Sequence, residues 1–340
     1  MRHARSTLPL VGLLAGALAL SACGGDSASG SGGDGARIGF SSPVLAQDGQ
    51  KAIVDGFEAA GAGFGWETKV YDANLSIDTQ VSNIQTMVDG GDAAITAWAL
   101  DDDAIAGAYA QAASADIPVI GINSAGDGVD GTVWWEQQTC EPGGIIEQLA
   151  ARYAEAKPGG DIAIVSGPEA PSIVALTACF KDAAEAAGLN VVSEQKNTGD
   201  NSAGANTLVQ DILSQHPDLA GVWSYNDNSA LGASSAILAA GGTVWTPDNP
   251  DGVVVTGANA DQAAIEAVAD GTMSATLDPD PRCTGYVLAA AVEEAMDSGT
   301  LAEDYVVAGS ILDASTVGEY VAPADKTCSL DELPLVGGAR

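Results

Sequence analysis

Polar and aromatic side chains gather where the apolar runs of this sequence end. Ser41-Ser42-Pro43 follows the run Ile38–Phe40, with Gln47-Asp48 a few residues later. Trp98-Ala99-Leu100-Asp101 follows Ala94–Ala97, and Asn123 follows Val119–Ile122. Asn226-Asp227-Asn228 comes after Trp223-Ser224-Tyr225, Asn259 after Val253–Gly257, and Asp278 after Leu277. Amides and carboxylates offer fixed acceptors and donors to hydroxyl groups, and indoles offer flat faces to the C–H side of a sugar ring. Asp and Asn directly ahead of a helix also cap its N-terminus. One such residue is therefore ordinary, and recurrence at nearly every run end points to a binding site. Hydrolytic chemistry has weaker support. His216 lies in Ser214-Gln215-His216-Pro217, a helix end before proline, and neither G-x-S-x-G nor G-x-x-x-x-G-K-[ST] occurs. Asp278 and Asp280 have the residue types of a glycosidase pair, but nothing in the sequence sets their separation. Asp248-Asn249-Pro250-Asp251-Gly252 lacks the register and the bidentate Glu of a calcium loop and reads as a turn.

The elements that position these residues alternate in type. Short β-rich runs occur at Ile38–Phe40, Thr68–Tyr71, Ala94–Ala97, Val119–Ile122, Ile162–Val165, Val191–Val192, Gly221–Trp223, Val253–Thr256 and Ser274–Leu277. Helical patterns lie between them, among them Lys51–Ala60, Thr79–Val88, Ile145–Ala156, Ile173–Ala187, Ala205–Leu213, Ala230–Ala240, Gln262–Ala269 and Tyr286–Met296. In Thr79–Val88, Val81, Ile84 and Val88 recur at spacings of three and four and form one helical face. Alternating strands and helices of this length imply βαβ units with parallel sheets. The units outnumber those of one sheet, and Gly126–Gly131 breaks the pattern. Two doubly wound α/β lobes are expected, with ligand binding beyond the strands' carboxyl ends.

The 340 residues carry 12 Lys plus Arg against 46 Asp plus Glu, a formal charge of −34. Such a surface repels phosphate backbones and anionic headgroups, which excludes a nucleic-acid binder. The acidic excess forms no long run and reads as a solvated face. Met1–Arg5 is basic and Leu8–Leu20 is apolar but shorter than the about 20 residues a membrane span needs, as in a secretory signal peptide. Leu20-Ser21-Ala22-Cys23 resembles the bacterial lipobox, whose cysteine is lipidated. Residues 24–36 are nearly all Gly, Ser, Ala and Asp, a tether composition. Residues 1–22 are thus expected to be a signal peptide and 23–36 a lipid-anchored tether. That places the protein at the outer face of the cell membrane, held through Cys23. The other four cysteines, Cys140, Cys179, Cys283 and Cys328, suit disulfides of an exported protein and allow three pairings. They include no CxxC pair, and His216 is the one histidine after Cys23, which argues against a zinc site. No metal or cofactor is called for.

Val222-Trp223-Ser224-Tyr225-Asn226-Asp227-Asn228-Ser229-Ala230-Leu231-Gly232-Ala233 resembles the V-x-x-x-N-D-x-x-A-L-G-A signature of ribose- and galactose-type (type I) periplasmic binding proteins. Asp116-Ile117-Pro118-Val119-Ile120, Asp55-Gly56-Phe57 and Gly271-x-Met273-Ser274-Ala275-Thr276 match further motifs of that family, in order, so the resemblance covers nearly all of residues 37–312. It implies two Rossmann-like lobes joined by three hinge strands, which close on a small solute and present it to an ABC permease. The lobes are then expected at 37–133 plus 279–308 and at 134–278 plus 309–340. By position, Asn226 matches the family's sugar-contacting Asn and Asp101 an acidic residue that accepts from sugar hydroxyls. Asn259 and Asp278 stand where members have Asp and Gln. Two departures matter: the aromatic pair before the first helix is Gly49-Gln50 here, and the second lobe's sugar-binding Arg falls near Val174. Trp98, Trp134 or Trp135 is left to supply the stacking face.

The expected ligand set is Ser42, Gln47, Asp48, Trp98, Asp101, Trp134, Asn226, Asn259 and Asp278. Within the lobes so implied, Cys140 pairs with Cys179 and Cys283 with Cys328. Few cations lie near these residues, so the expected ligand is a neutral sugar or polyol, bound by a monomer that is not an enzyme; the same carboxylates leave a cationic ligand open and disfavour an anionic one. A sensory receptor using the same cleft is the alternative, and a glycosidase a distant one.

Overall fold

The computed structural model describes residues 35–337, so Cys23, the signal peptide and most of the tether lie outside the described residues. Two six-stranded sheets are flanked by helices. The first has the order β11-β5-β4-β3-β1-β2, all parallel: β1 Arg37–Ser42, β2 Glu67–Asp72, β3 Ala94–Ala97, β4 Val119–Ile122, β5 Gly131–Trp135 and β11 Tyr305–Val307. The second has the order β12-β10-β9-β8-β6-β7: β6 Asp161–Ser166, β7 Asn190–Lys196, β8 Gly221–Ser224, β9 Val254–Ala258, β10 Ala275–Asp278 and β12 Ser310–Asp313. Only β12 in this sheet runs antiparallel to its neighbour. The central strands read as continuous apolar runs because helices bury both faces, as parallel sheets require.

The residue patterns missed the edge strands β11 and β12 and β5 beside β11, which are short and lie next to the points where the chain changes sheets. They also missed the helix α3 (Asp102–Ser114), an Ala-rich segment with weak amphipathic contrast. The other long helices are α1 Asp48–Gly63, α2 Ile77–Gly90, α5 Ile145–Ala156, α6 Pro171–Ala186, α7 Ser202–Gln215, α8 Asp227–Ala239, α9 Gln262–Ala269 and α10 Pro281–Ser298, with a single turn α4 at Glu136–Thr139. The chain passes between sheets three times, after β5, after β10 and between β11 and β12.

Each sheet has an apolar layer on both faces. On the first, Phe40, Ile53, Phe57, Val287 and Val292 pack on one side and Ile84, Met87, Ile95, Ile105 and Tyr109 on the other. On the second, Leu149, Tyr153, Phe180 and Trp223 oppose Val209, Ala233, Ile237 and Val268. Helices α1 and α10 touch backbone to backbone. A Cβ on Gly56 would sit 2.1 Å from the Arg282 carbonyl oxygen, and one on Gly285 would sit 2.3 Å from that of Ile53. Only glycine permits this approach, which ties the middle of α1 to the first turns of α10.

Disulfides join Cys140 to Cys179 and Cys283 to Cys328, with Cα separations of 5.6 and 5.3 Å. The first links the end of α4 to α6. The second fixes the C-terminal segment to the start of α10, where Lys326 pairs with Asp278 at 3.4 Å and with Asp280 at 3.0 Å.

Candidate functional site

A cavity of about 620 Å³ opens beyond the carboxyl ends of both sheets. Its lining comes from the segments after β1 (Pro43 to Gln50), β3 (Trp98 to Leu100), β5 (Trp135, Gln137, Gln138), β6 (Pro168 to Leu176), β7 (Asp200), β8 (Tyr225, Asn226, Asn228) and β9 (Asn259 to Glu266). Such segments are where a doubly wound sheet can present side chains without breaking its ladder.

Among the expected residues, Gln47, Asp48, Trp98, Asn226 and Asn259 line this cavity. Asn226 shows how capping and site duty coexist. Its Oδ1 accepts from the Ser229 N–H at 2.9 Å and caps α8, while its Nδ2 donates to Asp200 Oδ1 at 2.7 Å. Trp98 meets the Trp135 ring edge-on with centroids 5.0 Å apart, and donates its Nε1–H to Ser172 Oγ at 3.4 Å.

Four expected residues lie outside the lining. Ser42 is fully buried and donates to Gln50 Oε1 at 3.3 Å, so it holds a lining residue. Asp101 caps α3, accepting from the Ala104 N–H at 2.9 Å. Trp134 donates to Asp304 Oδ2 at 2.9 Å, and its neighbour Trp135 lines the cavity instead, because successive residues of a strand face opposite sides. Asp278 is buried at the crossing, accepts from the Asp280 N–H at 2.8 Å and pairs with Lys326. Burial pushes its carboxyl up, and Lys326 opposes that shift.

Several lining residues went unnamed in the sequence reading. Asp200 accepts from Gln47 Nε2 at 3.1 Å, from Asn226 Nδ2 and from the Tyr225 hydroxyl, and so links segments of the two sheets. Its signal was available, since Asp200-Asn201 follows the β7 run as Asn226-Asp227 follows β8. Asp261 is pushed up to about 6, first by burial and then by the charges of Asp48 and Asp200. Asp227 has no exposed surface. It accepts from Thr276 Oγ1 at 2.6 Å and from the Asp261 N–H at 2.8 Å, and it fixes the turn at Asn259 and Ala260, both at positive φ. Burial raises its carboxyl well above the usual range. Gln137, only 3% exposed, presents its amide to the cavity with no hydrogen-bond partner among the described residues.

The lining holds amides, carboxylates and indoles on two facing sheet ends, with no Lys, Arg or His. The sequence pattern of the periplasmic binding protein domain matches residues 38–300. The chain belongs to the periplasmic binding protein family. It is 36% identical over 135 residues to the D-ribose/D-allose-binding protein of Pseudomonas aeruginosa, a match spanning 39% of each chain. It is 26% identical over 261 residues to the ribose import binding protein of Bacillus subtilis, covering 76% of this chain and 80% of that one. Two solved structures share the fold: an ABC transporter solute-binding protein from Actinobacillus succinogenes with bound D-allose and a Caulobacter myo-inositol-binding protein with bound myo-inositol. Each has a TM-score of 0.73 at 21% identity. The first covers 84% of this chain and 99% of its own, the second 86% and 97%. These relatives are solute-binding proteins and not enzymes. A second cavity of about 400 Å³ lies among α4, α5 and α6 beside the Cys140–Cys179 bridge.

Proposed function

We propose that this periplasmic binding protein is an exported, lipid-anchored receptor that captures a small sugar or polyol between its two lobes and delivers it to an ABC permease. The observation that carries the reading is the composition of the 620 Å³ cavity: Gln47, Gln137, Asn226, Asn228 and Asn259 supply amide donors and acceptors beside the Trp98–Trp135 corner. Hydroxyl groups can exchange hydrogen bonds with the amides and donate to Asp48, Asp200 and Asp261, while the C–H face of the solute lies against an indole. An anionic solute is disfavoured, since it would bring its charge against carboxylates with no cation in the lining. The ribose, allose and myo-inositol named for the relatives support the class of solute.

Recognition by closure follows from direct bonds across the cleft. Gln47 to Asp200 and Trp98 to Ser172 join the first sheet's loops to the second's. A solute that bridges the same loops stabilises this closed arrangement, which is the form that docks on the permease. The three crossings act as the hinge. Cys23, outside the described residues, carries the lipid, and the acidic tether holds the monomeric globule off the membrane.

A thermal-shift screen against ribose, allose, myo-inositol, other polyols, amino acids and nucleosides tests this reading, because a ligand stabilises by mass action. Stabilisation by one or more sugars or polyols is the expected result. Stabilisation by amino acids or nucleosides alone would overturn it.

A further inference from the structure

The cavity's charge is unbalanced in a way that hydroxyl groups alone do not answer. Four carboxylates line it, those of Asp48, Asp200, Asp261 and Glu266, and no cationic side chain does. Their surroundings differ. Asp48 pairs with Lys51 at 2.9 Å, Glu266 accepts from Gln262 Nε2 at 2.9 Å, and Asp200 is held by three neutral donors. The Asp261 carboxylate alone accepts no hydrogen bond and meets no cation among the described residues. It stands at the N-cap of α9 yet makes no side-chain cap bond, so its oxygens are not spent on that helix. Asp48 from the first sheet's side and Asp200 from its own side add their charges to it, Asp227 holds its backbone N–H, and the nearby Tyr320 hydroxyl is taken by the Ala260 carbonyl. Lys51 on α1 and Lys326 on the C-terminal segment are already paired with other carboxylates. A partly buried carboxylate beside two others is costly to keep ionised without a counter-charge.

A second observation places a ligand group in the same cavity. The Gln137 side chain, only 3% exposed, lines the cavity and has no hydrogen-bond partner among the described residues, so its amide is free to bond a solute there. Gln137 comes from the first sheet's side and Asp261 from the second's, so a solute lying between them can meet both. A single metal ion does not fit. Among the described residues the one trio of potential ligand atoms within 4.8 Å of one another is Asp280, Cys283 and Cys328, whose sulfurs are bonded to each other.

Resting on the sugar-or-polyol reading, we infer that the solute also carries one positive charge: an amino sugar or aminated polyol, its ammonium beside Asp261 and its hydroxyls on Gln137, Asn226 and Asn259. As in the neutral reading, the carboxylates of the lining disfavour an anionic solute. What changes is that the neutral ligand expected there becomes the weaker of two. The ammonium supplies three donors to Asp261 and Asp200, and the Trp98 and Trp135 rings add a cation-tolerant wall.

The test is calorimetric titration of the purified protein at pH 7.5 and low salt with matched sets. One set is D-glucosamine, D-glucose, N-acetyl-D-glucosamine and D-glucuronate; the other is 1-amino-1-deoxy-D-glucitol, D-glucitol and D-gluconate. Ethylammonium serves as a charge without hydroxyls. In at least one set the amine is expected to bind tenfold or more tighter than its neutral partner, which corresponds to about 1.4 kcal/mol, and the carboxylate not at all. Asp261→Asn is expected to collapse that ratio below threefold, and Asp261→Glu to retain most of it. A neutral member that binds as tightly as its amine overturns the inference and leaves the polyol reading standing. Ethylammonium matching the hydroxylated amines overturns both, as does an absence of binding by every member of both sets.

Discussion

The bond from Gln47 Nε2 to Asp200 Oδ2, 3.1 Å long, joins the segment after β1 to the segment after β7. On the proposed closure mechanism it exists only while the cleft is shut, so removing it penalises the closed form and leaves the open form unchanged. A hydrogen bond to an ionised acceptor contributes about 1.5–3 kcal/mol. Both partners are half-buried, and the lower end applies. Gln47→Ala and Asp200→Ala should each weaken solute binding about tenfold, or about 1.4 kcal/mol. The two variants should part company in stability. Asp200→Ala also strips the acceptor from the Tyr225 hydroxyl and Asn226 Nδ2, both buried and both in Asp200's own lobe. That loss is present open or closed, so it lowers Tm without further change in affinity, whereas Gln47→Ala should leave Tm nearly unmoved. Calorimetric titration of the two single variants and the double, with the tightest binder from the thermal-shift panel, forms a double-mutant cycle. The double variant should be no worse than about tenfold weaker. A hundredfold loss, the product of the singles, would show that the two side chains act independently of each other and that the latch argument is wrong.

Three further outcomes follow from the structure. Replacing Cys283 and Cys328 together with Ser should lower Tm by up to about 6 °C, from about 4 kcal/mol of loop entropy in the chain-entropy model; calorimetry under non-reducing conditions measures it, and an unchanged Tm would refute a stabilising strap. Asp261 has its folded carboxyl raised to about 6, so between about pH 4 and 6 the folded form binds the extra proton and stability should fall as pH rises. Asp261→Asn should therefore raise Tm at pH 7.5, by about 2 °C after allowance for solvent screening, and flatten the decline between about pH 4 and 6. Asp227→Ala should leave the Asp261 N–H and Thr276 hydroxyl without their acceptor and release the turn at Asn259 and Ala260. Solute affinity should then drop more than tenfold in titration, although Asp227 lies outside the cavity lining.

The fold was largely legible because its central strands are buried on both faces and separated by amphipathic helices. Ile38–Phe40, Ile162–Val165 and Gly221–Trp223 could be little else, and Gln262–Ala269 and Ile145–Ala156 match their helices end to end. The failures share a cause. β5, β11 and β12 are three to five residues long and sit where the chain changes sheets, so each owes its conformation to a distant partner. Local composition carries no trace of such a partner. Helix α3 failed for a different reason: its Ala-rich sequence propagates well but has a faint apolar stripe, and periodicity was the signal being read.

The site divides along a chemical line. Where a strand ends in an amide, capping a helix leaves something over: Asn226 caps α8 through its oxygen and still has its NH₂ to reach Asp200. Where the strand ends in a carboxylate, the side chain has acceptors only, and the next helix can claim it, as α3 claims Asp101. The same residue types at the same positions therefore differ in how far a cap excludes a ligand. Asp261 escapes because its own helix leaves the carboxylate uncapped, a matter of backbone geometry at the Asn259–Ala260 turn. That turn is set by Asp227, 34 residues away in the chain. The choice between Trp134 and Trp135 was a choice of strand face, and a face is defined only once the strand is known. With β5 unread, the two indoles were equivalent. With β5 in place, Trp135 faces the cavity beside Trp98 and Trp134 is bonded to Asp304.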